Sequence, residues 1–154
     1  MGCYEIALER EDCRFTIVLG PNSRLREGAQ RAVPRHITLC SYVPRLELLL
    51  ASCDIAIVHG GYNSLIESVY GGATVIVVAN QTEEEQREHA KRLSALADVR
   101  VADLGNLRHI LAGAISNHMI RPLASPIALD IGGAARISAS IREDLAGLRL
   151  ARED

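Results

Sequence analysis

Short apolar runs recur along the chain about every twenty residues. Phe15 to Leu19 (FTIVL) ends at Gly20 and Pro21, and similar runs follow at His36 to Cys40, Asp54 to Val58, Thr74 to Ala79 and Val99 to Ala102. Their hydrophobicity is continuous rather than alternating, which predicts strands buried on both faces. Between them apolar residues fall at helical spacing, over Ser23 to Ala32, Pro44 to Ser52, Asn63 to Tyr70, Glu83 to Leu96 and Leu107 to Ser116. Pro44 suits a first helical turn, where a missing N–H costs nothing. Strand and helix in strict alternation predict right-handed crossovers and a doubly wound α/β domain, with a parallel, mostly five-stranded sheet covered on both faces.

Asp130 precedes Gly132, Gly133 and a stretch to about Leu148 that places Ile137, Ile141, Leu145 and Leu148 on one face, a final amphipathic helix with Asp130 as its N-cap. Tyr4 to Arg10 reads as the end of a helix with no strand before it. A doubly wound domain ordinarily opens on a strand, so the expectation is the later part of a longer protein, or one truncated at its front, whose sheet lacks its first strand. The 154 residues read as a single domain, with no repeat or linker dividing them.

Composition narrows the classes. Hydrophobic residues at 48% and charged residues at 23% are ordinary globular usage. A net charge of -2 supplies no field for nucleic acid or an anionic membrane. The longest apolar stretch, Leu46 to Ser52, is far short of a bilayer span and no signal pattern opens the chain, so a cytoplasmic setting is expected. Cys3, Cys13, Cys40 and Cys53 form no C-x-x-C pair, which removes zinc-ribbon and thioredoxin-like readings and predicts reduced thiols, with Cys40 and Cys53 in the core. Arg24, Arg26, Arg31 and Arg35 make a locally basic segment, read as a solvated helix face.

The chemistry concentrates between His59 and Gln86. Ligands of open parallel sheets sit beyond the carboxyl ends of the strands, where helix N-termini hold phosphate, and His59-Gly60-Gly61-Tyr62-Asn63-Ser64 falls at such a place. Two glycines let a phosphate approach the main chain, and the N–H groups near Asn63 and Ser64 point out of the helix start. Glu67 lies one turn on, where a carboxylate repels phosphate but accepts two hydrogen bonds from a sugar diol. Phosphate beside ribose describes a nucleotide. Taken singly, Gly-Gly is a tight turn, Asn63 or Ser64 a helix cap, His59 a core histidine and Glu67 a solvated residue. The conjunction, continued by Gly71-Gly72, TVIVVA and Glu85-Gln86, favours the ligand site.

With these residues in place, the stretch from Tyr42 to Leu93 resembles the carboxyl-terminal, donor-binding domain of the two-domain (GT-B) glycosyltransferases, the group of the MurG-like N-acetylglucosaminyl transferases and the small-molecule UDP-glycosyltransferases. The pattern falls on His59, Gly61, Asn63, Ser64, Glu67, Gly72, Glu85 and Gln86. The resemblance implies a Rossmann-like fold and a site for a nucleoside diphosphate sugar, most often a UDP-sugar. His59 and the amides from Gly61 to Ser64, with Gly60 beside them, would hold the diphosphate, Glu67 the ribose, and Glu85 with Gln86 the donor sugar. The loop at Tyr42 and Val43 would hold the base. Thr74 and Ala79 stand where the family usually has Pro, which implies differently shaped loops around the sugar pocket. No metal or other cofactor is expected.

In inverting members of that group the general base comes from an acceptor-binding amino-terminal domain, which is expected to lie outside these residues, so catalytic residues stay unassigned. The implied function is the UDP-sugar-binding half of a glycosyltransferase transferring a hexosyl group to an unknown acceptor. It is inactive alone, and is completed by the rest of its chain or by a separate subunit, as in the two-subunit lipid-linked N-acetylglucosaminyl transferases. Two alternatives stand beside it. One is part of a UDP-sugar hydrolase or epimerase of the same architecture, in which Asn80-Gln81 replaces Glu85-Gln86 as the sugar-contacting pair. The other is a non-catalytic nucleotide-sugar-binding module.

Overall fold

The computed structural model describes residues 3–20, 33–79, 84–120 and 132–150. Helix α1 (Cys3–Leu8) leads into β1 (Phe15–Val18); β2 (Ile37–Cys40), α2 (Leu46–Ser52), β3 (Ile55–Val58), α3 (Tyr62–Tyr70), β4 (Thr74–Val78), α4 (Glu84–Ser94), β5 (Val99–Ala102), α5 (Leu107–Ile120) and α6 (Gly133–Leu150) follow. Strand β1 pairs parallel with β2, Phe15 opposite Ile37. The other three form a parallel sheet in the order β3–β4–β5, with Ile55 opposite Thr74 and Val75 opposite Val99.

Side chains on β4 alternate between two cores, as the period of two in a strand requires. Val75 and Val77 point into one, with Leu50 of α2, Leu65 and Val69 of α3 and Ala90 of α4. Ile76 points into the other, with Ile6 of α1 and Leu107, Leu111, Ala114 and Ile115 of α5. Both faces of this sheet are therefore covered, and the fold is α/β with parallel strands, as the alternation predicts.

The predicted single five-stranded sheet is corrected. Among the described residues the strands form two ladders, of two and three strands. Phe15 of β1 and Ile55 and Ile57 of β3 pack against the same core, so shared apolar burial joins the two sheets. Burial of β1 on both faces is corrected as well, since Thr16 and Val18 are exposed. The helix predicted over Ser23 to Ala32, with Arg24, Arg26 and Arg31, lies outside the described residues; Arg35 is exposed.

Pro44 stands in the turn before α2 rather than in its first turn. On α6, Ile137 and Ile141 are 63% and 52% exposed, so the predicted apolar stripe is unburied there; the proposed cap Asp130 lies outside the described residues. All four cysteines are free. Cys53 packs against the first core, where burial raises its thiol pKa, whereas Cys40 is half-buried and belongs to neither core, a correction to its expected place. Among the described residues its strand β2 pairs with β1 alone.

Helix α3 ends in a Schellman motif: the N–H of Gly72, at φ +84°, donates to Val69 O at 3.0 Å and that of Ala73 to Ser68 O at 3.2 Å. A Cβ on the preceding Gly71 would lie 2.4 Å from Ala51 Cα, so α2 crosses α3 at backbone contact. Thr74 sits at the amino end of β4 and donates through Oγ1 to Asp98 Oδ2 at 3.0 Å. Among the described residues no helix is long and apolar enough to cross a membrane.

Candidate functional site

Parallel pairing of β3 with β4 brings the segments after their carboxyl ends to one edge of the sheet. His59, Gly60 and Gly61 follow β3 there, and α3 begins at Tyr62. The two glycines do different work. Gly60 adopts φ +83°, and a Cβ on it would meet Val77 Cγ1 at 2.8 Å and Gln86 Cβ at 3.2 Å, so a side chain is refused both by the dihedral and by the space. Gly61 has nothing within 4 Å of its Cβ direction, which leaves open room over the helix start.

That start has no side-chain cap and no acidic residue in its first turn, so neither Asn63 nor Ser64 serves there as a cap. The orphan N–H groups and the positive end of the dipole are left for an anion. His59 and Asn63 are exposed and Ser64 is half-buried. Glu67 is half-buried one turn further on.

Helix α4 starts differently. Glu84 and Glu85 occupy its first turn, so its dipole is already answered by carboxylates and its start suits hydroxyl groups better than phosphate. Gln86 lies against Gly60, and its Oε1 is buried without a hydrogen-bond partner. An orphaned acceptor of this kind costs about 1–3 kcal/mol until a donor reaches it. Glu85 is 85% exposed, with Oε1 4.0 Å from His89 Nε2.

The structure thus brings together the start of α3 and the start of α4 through Gly60 and Gln86. Tyr42, 75% exposed, and half-buried Val43 follow the carboxyl end of β2 in the two-stranded sheet, and no hydrogen bond among the described residues ties them to α3. Asn80 and Gln81, the alternative sugar-contacting pair, lie outside the described residues. A second link between α3 and α4 escaped the sequence reading. The Tyr62 and His89 rings meet edge to face, centroids 5.5 Å apart at 70°. The available signal was an aromatic directly after Gly-Gly and a histidine four residues after Glu85.

With this geometry established, the glycosyltransferase family 28 C-terminal domain is the family whose model matches the chain, over residues 4–124. The chain belongs to that family. This family 28 domain is 27% identical, over 74 residues, to the NDP-glycosyltransferase YjiC of Bacillus subtilis (strain 168), covering 48% of the chain and 19% of the relative. Among solved structures it is similar to the glycotransferase of kitacinnamycin (TM-score 0.63, 20% identity, 78% of this chain and 30% of that one). It is also similar to Arabidopsis thaliana UGT89C1 complexed with UDP (TM-score 0.51, 18% identity, 72% and 29%). A third is the spinosyn forosaminyltransferase SpnP (TM-score 0.50, 21% identity, 71% and 35%). The family 28 domain spans about a fifth to a third of the length of these proteins.

Proposed function

We propose that this domain binds a UDP-sugar at the junction of α3 and α4 and forms the donor half of an enzyme transferring a hexosyl group, with a complementary acceptor-binding domain or subunit supplying the general base. The observation that carries the reading is the uncapped start of α3, open over Gly61 and seated through Gly60 on Gln86. The main-chain amides from Gly61 to Ser64, with His59, hold the diphosphate. Glu67 accepts hydrogen bonds from the ribose hydroxyls. Glu85 and Gln86 take the hydroxyls of the sugar, and Tyr42 and Val43 border the base.

Transfer breaks the bond from the sugar's anomeric carbon to the diphosphate and makes one to the acceptor oxygen, whose proton goes to the base from the other half. Negative charge grows on the departing diphosphate, where the fixed amide dipoles of α3 are aimed. Family membership favours transfer over a hydrolase or epimerase. Calorimetry with UDP and uridine tests the site. His59→Ala should weaken UDP much more than uridine; equal loss of both, or none, would remove His59 from the diphosphate.

A further inference from the structure

The ring of His89 touches both halves of the proposed site. It lies edge to face on Tyr62, the first residue of α3, and its Nε2 is 4.0 Å from Oε1 of Glu85, one turn earlier on α4. That separation is too long for a hydrogen bond and suits an electrostatic contact between the imidazole and the carboxylate. The His89 side chain is only 28% exposed, whereas the Glu85 carboxylate at 85% has no other ion-pair partner among the described residues. A solvated carboxylate on a flexible stem needs such a tether to keep one rotamer.

We infer that His89 is a positioning residue: wedged by Tyr62, it holds the Glu85 carboxylate toward the donor sugar. The inference rests on the assignment of Glu85 to the sugar and adds a residue that touches neither sugar nor nucleotide. The groups around the imidazole are Glu85 on its own helix and Tyr62 on α3. On β5, which also packs against α4, Arg100 is held by Asp98, and on α4 Glu88 is held by Arg92.

The test compares UDP with UDP-glucose and UDP-N-acetylglucosamine by calorimetry at one fixed pH. The readout is the sugar increment, the ratio of UDP-sugar to UDP affinity, compared between native and variant chains so that the charge difference between UDP and its sugar diesters drops out. His89→Phe keeps the edge contact with Tyr62 and removes Nε2. It should lower the increment by roughly two- to fivefold, the range of a partly exposed ion pair, and leave UDP affinity unchanged. His89→Gln should behave alike if the Phe variant does not fold. An increment unchanged in both, while Glu85→Gln abolishes it, would overturn the role of His89 and leave the donor-sugar assignment standing. An increment unaffected by Glu85→Gln would remove that assignment and this inference with it.

Discussion

Gly60 links the start of α3 to Gln86 of α4, and its positive φ and its contact with Val77 and Gln86 both exclude a Cβ. Gly60→Ala should lower the thermal midpoint, by the strain of the left-handed region (about 1–2 kcal/mol) and the overlap with Val77 (about 1–3 kcal/mol). An unchanged midpoint would mean that the loop relaxes freely. Glu67→Ala should cost about 1.5–3 kcal/mol of UDP and uridine binding, the value of charged hydrogen bonds, with Glu67→Gln losing less. Equal affinities within about 0.5 kcal/mol would return Glu67 to a solvated helix residue. A third residue sets the pH dependence of stability. Arg100 donates to both carboxylate oxygens of Asp98 at 2.9 and 2.8 Å and, with the Thr74 hydroxyl, holds its carboxyl below the usual range. Because the folded value is depressed, this stabilisation is present above the ordinary aspartate value and lost as pH falls through the folded one. Chemical denaturation should therefore find Asp98→Asn less stable than the native chain at pH 7 and nearly equal to it in strong acid. At this scale the turn at Gly60 was legible, because a backbone that refuses a Cβ is written in residue type. The Tyr62–His89 contact was not, since residues on two helices meet only after the strands set the distance between them.

Among the elements, α3 matters most, and its two ends have separate tasks. The start is open to a ligand, while the end is locked by the Schellman hydrogen bonds and by the contact of Gly71 with Ala51 of α2. Gly71→Ala, with its Cβ 2.4 Å from Ala51 Cα, should destabilise the fold by about 1–3 kcal/mol in denaturant titrations. The UDP affinity of the folded fraction should stay unchanged, and a matching loss of affinity would show that the two ends are coupled. Continuous apolar runs located the five described strands to within a residue or two, since burial on both faces of β4 leaves Thr74, at its amino end, as its one polar position. The same rule misjudged β1, whose apolar run is half exposed in a two-stranded ladder. On α6 a correct helical period misled about burial, because periodicity states which residues share a face and not whether anything covers it.

For the whole molecule, membership of the glycosyltransferase family 28 C-terminal domain and the parallel α/β architecture agree with one another. The proposed division of labour predicts that the purified chain binds UDP without transferring sugar, since proximity and proton abstraction need groups from a facing domain. Turnover abolished by a change at one of its own residues would overturn that division. The most direct measurement of the central claim is a titration of the isotope-labelled chain with UDP, followed by amide chemical shifts. The account predicts saturable shifts centred on Gly61, Tyr62, Asn63 and Ser64, with smaller ones at Gln86. Millimolar UDP that leaves those amides unmoved, or that perturbs a different edge of the sheet, would contradict it.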